Sequence, residues 1–165
     1  MSADVVVRDA RPDDLDVIVD FNKRLASETE DIILDRATLE RGVRLALADP
    51  DRLRYWVAVL NGTEEVVGQA AITREWSDWR NGWLWWFQSV YVRPDARGRG
   101  VFRALFRQIH ADGRDAVNVV GLRLYVEKDN AAAQETYRSL GMKDGHYHVY
   151  EEIWPDRLGG LGFKD

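Results

Sequence analysis

Residues 88–105 read QSVYVRPDARGRGVFRAL and combine a strand, an Arg/Gly turn and the start of a helix. Main-chain N–H groups in a turn around Gly98 and Gly100 point at one spot. The N-terminus of the helix that follows adds about half a positive charge at the same place. The arginines in and around this turn are Arg93, Arg97, Arg99, Arg103 and Arg107. The stretch therefore predicts an anion site, and a turn this tight favours a pyrophosphate.

The chain as a whole is acidic, unlike this cluster of five arginines (the basic island), because its 165 residues carry a net charge of −5. This acidic balance argues against non-specific binding to nucleic acid, which depends on neutralising phosphates. No apolar run approaches the roughly 20 residues that span a bilayer, and the first residues lack a signal-peptide core. We therefore expect neither a nucleic-acid nor a membrane partner, and a cytoplasmic location.

Cysteine is absent from the sequence, which excludes disulfides, thiolate metal sites and a cysteine nucleophile. His146 and His148 share one face of an expected strand, but no third potential ligand lies at a spacing typical of a metal site. We expect no metal.

Across the whole chain, hydrophobic periodicity and turn residues predict a β-α-α-β-β-β-α-β-α-β order. Strands are expected at 5–10, 55–60, 66–75, 83–92, 121–127 and 146–153. Helices are expected from Pro12 to about Ser27, at 37–47, from Val101, and from an Asn130 cap to Gly141. This order indicates one mixed α/β domain over residues 1–165, with the strands on either side of the Val101 helix parallel.

The VYVRPDARGRGVFRAL stretch resembles the acetyl-CoA-binding motif of the GNAT superfamily of N-acetyltransferases. Arg97, Gly100 and Phe102 occupy the three defining positions of that motif. Phe102 departs from it, because a small residue normally stands there. The resemblance implies that the cofactor pyrophosphate binds the turn and helix start, namely Arg97, Gly98, Arg99, Gly100, Val101 and Phe102.

A second segment, LYVEKDNAAAQETYRSLGM, agrees with this resemblance. Asn130, Ala133 and Tyr137 stand at helical spacing on one face. The resemblance implies that Asn130 lies along the pantetheine arm and that Tyr137 protonates the departing CoA thiolate. It also implies a splayed sheet, in which pantetheine bonds the main chain of Val90, Tyr91 and Val92. Without the resemblance, Tyr137 could equally be a core tyrosine.

Acetyl transfer to an amine also needs a group that removes a proton, because alkyl amines are protonated at neutral pH. The candidate bases are Glu28 and Glu30 in an acidic joint, and Glu127 at a strand end. Each of them could instead be a solvated surface carboxylate. A base that acts through water is equally open.

The resemblance thus implies an acetyl-CoA-dependent transferase acting on a small-molecule, peptide or protein amine by direct attack in a ternary complex. The alternative is a regulatory module that binds acyl-CoA without turnover. Trp76, Trp79 or Trp86 could wall the acceptor pocket, although most of this tryptophan cluster is expected in the core. A homodimer is also considered, since the strand around Tyr147 to Ile153 could pair across it.

Overall fold

The computed structural model describes residues 4–157 and 161–163. Its strands are β1 (Val5–Asp9), β2 (Ile32–Leu34), β3 (Arg54–Leu60), β4 (Val66–Ser77), β5 (Gly82–Val92), β6 (Val119–Leu124) and β7 (Leu161–Phe163). Its α-helices are α1 (Leu15–Glu30), α2 (Arg36–Ala48), α3 (Val101–Asp115) and α4 (Ala131–Ser139). Among the described residues, no helix is both long and apolar enough to cross a membrane.

Five strands form the main sheet in the order β1-β3-β4-β5-β6. The pairs β1–β3, β3–β4 and β4–β5 are antiparallel, whereas β5 and β6 are parallel and joined through α3. The β5–β6 pairing begins at Trp83 with Val119 and ends at Phe87 with Leu124. Beyond Phe87, β5 continues to Val92 without β6 beside it, so the sheet splays there.

Helices cover both faces of the sheet. On one face, Leu105 and Ile109 of α3 are fully buried against Trp56 and Phe87. On the other face, α1 and α2 pack on β3 and β5, with Ile18 buried in the same cluster as Tyr91. The central strands are therefore apolar on both sides, which fits a sheet held between two helical layers.

The predicted α/β class and the order of the main elements are confirmed, but some bounds differ. The strand expected at 121–127 ends at Leu124, so Glu127 lies in the irregular segment after it. α1 continues through Glu28 to Glu30, and the chain leaves the helix at Asp31, which has a left-handed φ of 51°. β2 was not expected, because a three-residue strand has too little pattern to detect.

The final strand expected at 146–153 is wrong. Residues 146–154 are irregular, and Tyr147, Tyr150 and Trp154 are largely exposed. An alternating pattern needs a neighbouring strand to satisfy its main-chain groups, and within the described chain this segment has none. The strand that does form near the C-terminus is β7, which pairs antiparallel with β2 outside the main sheet.

Candidate functional site

The turn between β5 and α3 adopts the backbone that its glycines permit. Gly98 and Gly100 have φ angles of 71° and 82°, in the left-handed region that other residues rarely adopt. Gly100 is the N-cap of α3 and carries no side chain to cap it. The N–H groups of Val101, Phe102 and Arg103 find no main-chain acceptor in the described part of the chain. An open set of N–H donors at a helix N-terminus suits an anionic ligand.

Glycine also decides how closely α3 approaches the sheet. A Cβ atom on Gly68 of β4 would lie 3.0 Å from Val101 and 3.2 Å from the carbonyl oxygen of Tyr91. The absence of that atom lets the first turn of α3 rest on β4 and β5. Sequence reasoning missed this residue, because a lone glycine in a strand signals a close approach without naming the partner.

The second part of the site is the end of β5 beyond the splay. Ser89 pairs with Ala71 and Phe87 pairs with Ile72, so Gln88 is an extra residue that makes a β-bulge. The next residues are Val90, Tyr91 and Val92, and each of them pairs with a residue of β4 on one side of the strand. Their other side faces the gap that β6 leaves. The gap exposes main-chain groups where the resemblance places pantetheine.

Arg97 is held by two groups that sequence reasoning did not connect with it. Its Nε donates to the carbonyl of Val92 at 2.9 Å, and its Nη2 donates to Glu28 at 2.6 Å. The hydroxyl of Tyr91 donates to the other oxygen of Glu28 at 2.8 Å. Hydrogen bonds from Arg97 and then Tyr91 lower the pKa of Glu28. The last turn of α1 is thereby tied to the glycine turn.

The other arginines of the island fall into two groups. Arg93 pairs with Asp95 and with Glu65, which comes from the β3–β4 turn. Arg99, Arg103 and Arg107 form no ion pair within the described residues. The positive charge left for a ligand therefore lies on the turn after Arg97 and along α3.

α4 brings the two residues of the second segment into place. Asn130 is its N-cap, and the side-chain oxygen of Asn130 accepts from the N–H of Ala133 at 3.0 Å. Seven residues later, the ring of Tyr137 meets Phe102 edge-on, with ring centroids 5.7 Å apart. Burial raises the pKa of Tyr137. Its hydroxyl forms no hydrogen bond with any described residue, so a protonated phenol is available.

Phe102 occupies its unusual position by joining a row of rings. It packs on Phe106, which stacks on Phe87 of β5 with centroids 5.8 Å apart. The row thus runs from β5 through α3 to Tyr137 on α4. The Phe102 ring, which replaces the small residue of the motif, packs α4 against α3.

The remaining base candidates are both exposed. Glu30 is the last residue of α1, about 200° around the helix axis from Glu28, so the two side chains leave α1 on different sides. Glu127 follows β6 at the same end of the sheet as Val92, because β5 and β6 are parallel. The carbonyl of Glu127 accepts from Asn130 and Gln134, which fixes its main chain beside α4.

The tryptophan cluster divides by its position along β5. Trp76 pairs with Trp83 at the start of β5, and Trp79 lies in the adjacent hairpin turn. Trp83 is about 23 Å from Val90 along the strand, at a rise of about 3.3 Å per residue. Trp86 lies nearer the splay, and its ring is 4.5 Å from that of Tyr125 just after β6. Its indole N–H donates to Glu75 at 2.7 Å. Trp86 is therefore the tryptophan of this set nearest the gap.

Among the described residues, no group of three or more His, Cys, Asp or Glu side chains could hold a metal ion.

A buried hydrogen-bond network was not predicted from the sequence. Gln69 donates to Asn22, which donates to the hydroxyl of Tyr55. This network connects α1 to β3 and β4 beneath the site.

Comparison with known proteins decides the family. The model of the Acetyltransferase (GNAT) family matches residues 18–142. The chain belongs to the GNAT acetyltransferase family. A structure from Clostridium difficile 630, described as a possible acetyltransferase, is 45% identical, with a TM-score of 0.83 over 91% of this chain and 97% of that one.

Two solved structures of lower sequence identity share the fold. An acetyltransferase from Trypanosoma brucei is 18% identical, with a TM-score of 0.70 over 91% of this chain and 100% of that one. A transcriptional regulator from Bacillus halodurans C-125 is 20% identical, with a TM-score of 0.74 over 90% of this chain and 99% of that one. Among curated protein sequences, none matches significantly.

Proposed function

We propose that this GNAT protein is an acetyl-CoA-dependent N-acetyltransferase that acetylates an amine by direct attack in a ternary complex. One observation carries the proposal. The two left-handed glycines present free N–H groups at the start of α3, beside the open edge of β5. That arrangement offers a pyrophosphate site and a pantetheine channel that meet at Val92.

In this proposal the chain binds acetyl-CoA along one continuous path. The pyrophosphate lies on the amides of residues 97–102, with Arg99 beside it. Pantetheine bonds the main chain of Val90, Tyr91 and Val92 in the gap, and Asn130 borders it from α4. The thioester then lies between the end of β5 and Tyr137.

The chemistry follows from these positions. The amine nitrogen attacks the thioester carbonyl and gives up one proton to a base, the C–S bond breaks, and the hydroxyl proton of Tyr137 passes to the departing thiolate. The Tyr137 phenolate then recovers a proton from solvent, and the base returns its proton to solvent. Holding the amine against the carbonyl supplies most of the acceleration, because it turns a bimolecular step into an intramolecular one. The cosubstrate supplies the acetyl group, and no metal is needed for any step.

For the base, the contacts of Glu28 favour a positioning role, since Arg97 and Tyr91 already occupy its oxygens. We propose that Glu127, directly or through water, takes the proton from the amine, because it lies at the sheet end that holds the gap. Glu30 is the remaining candidate. Glu127→Gln should then lower kcat by about 10²-fold, within the range for a lost general base, whereas Glu30→Gln should change it little. Measuring kcat of both variants across pH would show whether Glu127 or Glu30 is the base.

The whole proposal is tested by binding and turnover together. Isothermal titration should detect acetyl-CoA binding, and a thiol-release assay should detect CoA on adding an amine from a panel of small molecules, peptides and proteins. Binding without thiol release from any amine would favour the regulatory module that holds acyl-CoA. Failure to bind CoA would overturn both functions.

The proposal extends to the setting of the enzyme. We place it in the cytoplasm, with access to the acetyl-CoA pool, and without a nucleic-acid or membrane partner. We also propose a homodimer, in which residues 146–153 of one copy pair with an exposed strand edge of the other.

A further inference from the structure

The pattern of ion pairs across the molecule singles out α3. Most arginines in the described residues pair with Asp or Glu, as Arg8 does with Asp14 and Arg123 with Glu75. The exceptions include four that lie together on the turn and along α3, namely Arg99, Arg103, Arg107 and Arg114. On a chain of net charge −5, carboxylates are plentiful, so the four arginines without an ion pair leave an uncompensated positive charge along α3.

A groove lies beside these arginines, between α3 and α4. It has a volume of about 290 Å³ and is lined by Arg103, Phe106, Arg107, His110, Ser139 and Leu140. No carboxylate lines it. Arg103 reaches across it to the hydroxyl of Ser139, with 3.4 Å between nitrogen and oxygen. The groove is thus a small polar recess whose only charged walls are basic.

The position of the groove relates it to the glycine turn. Arg103 stands three residues after Gly100, about 4.5 Å along the helix axis, and Arg107 lies about 6 Å further on the same face. An anion bound at the start of α3 therefore has these two guanidinium groups as its next neighbours along the helix. A guanidinium fork matches phosphate oxygens well.

We propose that Arg103 and Arg107 in this groove bind the 3′-phosphate of coenzyme A. The inference rests on the proposed function, which puts the pyrophosphate of the same ligand at the N-terminus of α3. One ribose separates that pyrophosphate from the 3′-phosphate, so a ligand held at the turn can extend this phosphate along α3. A phosphomonoester carries between one and two negative charges at neutral pH and suits a recess with two unpaired arginines.

The test compares coenzyme A with 3′-dephospho-CoA, which differs from it only by this phosphate. Isothermal titration of the wild-type protein should give at least tenfold tighter binding of coenzyme A, equivalent to about 1.4 kcal/mol. Arg103→Gln together with Arg107→Gln should reduce that preference to about twofold or less, while the affinity for 3′-dephospho-CoA stays the same. Arg114→Gln is the matched control, because this arginine lies on the same helix without an ion pair, and it should keep the preference.

The outcomes separate the inference from the function on which it rests. Equal affinity of the wild-type protein for the two ligands overturns the inference and leaves the proposed function standing. Equal loss of both ligands in the double variant also overturns it, because the arginines would then act on the pyrophosphate or on the fold. Absence of binding by either ligand overturns the proposed function itself. The wild-type comparison needs no variant, so a folding defect cannot hide the answer.

Discussion

At the scale of single residues, the surroundings of Tyr137 bear directly on its proposed role as the proton donor. Its ring is held edge-on by Phe102, and burial raises the pKa of its hydroxyl. A tyrosine hydroxyl is protonated at neutral pH in any case, and burial moves its pKa further from that range, as the proposed proton transfer to the thiolate requires. The helical spacing from Asn130 predicted which face carries Tyr137, but only the structure shows the ring against which it rests.

Tyr137→Phe should lower kcat by about 10²-fold, at the low end of what a lost general acid costs. The affinity for acetyl-CoA should change less than about twofold, because the ring and its contact with Phe102 remain. Thiol-release kinetics and titration calorimetry measure the two quantities. Tyr125→Phe is the control, since Tyr125 is also near the gap but largely exposed. Equal losses of turnover and affinity would show that the Tyr137 hydroxyl is structural.

At the scale of elements, the β5–turn–α3 unit could be predicted from sequence because its signals are local. Pro94, Gly98 and Gly100 bound the turn within a few residues of each other. The contact between Glu28 and Arg97 joins residues 69 positions apart, and no local pattern carries that pairing. The missed strand β2 depends in the same way on β7, which lies at the other end of the chain.

Phe102→Ala tests the packing of α3 against α4. Replacing this half-buried ring by the small residue usual in the motif removes the surface on which Tyr137 rests. We expect a loss of about 1–2 kcal/mol in unfolding free energy, below the range for a fully buried Phe, and a fall in melting temperature of about 3–6 °C. The kcat should fall while acetyl-CoA affinity is kept, because the amides of the turn remain. An unchanged kcat would mean that Phe102 does not position Tyr137.

The tie between α1 and the turn predicts a pH-dependent stability. The folded state lowers the pKa of Glu28 through Arg97 and Tyr91, so it favours the charged carboxylate. That stabilisation is complete above the unfolded pKa of about 4.3 and is lost as the pH falls through the lower folded value. Because the pair is exposed, its contribution is at most about 1 kcal/mol.

Thermal unfolding of the wild-type protein and Glu28→Gln should therefore differ at pH 7 and converge as the pH falls below about 4. Glu30→Gln serves as the control, since it removes a carboxylate from the same helix end without touching Arg97. A gap between wild type and Glu28→Gln that persists at low pH would contradict the assigned role of the ion pair.

At the scale of the whole molecule, β6 and the segment after α4 each lack a strand neighbour on at least one side within the described chain. β6 is the last strand of the main sheet, and Val120 on it is 45% exposed. Residues 146–154 keep an alternating sequence but pair with no strand in the described chain, and Val149 and Ile153 stay exposed. An open edge and an unpaired strand-like segment are complementary, since each supplies the main-chain groups that the other lacks.

If two copies exchange this contact, sedimentation at tens of micromolar protein should show a dimer. Val149→Lys with Ile153→Lys should shift it to monomer, because buried lysines would oppose the pairing, and should leave acetyl-CoA affinity unchanged. Val6→Lys places the same charge on β1, the opposite edge of the sheet, where Val6 is 53% exposed, and should leave the dimer intact. A wild-type monomer at these concentrations, or a dimer that survives both lysines, would show that residues 146–153 do not join two copies.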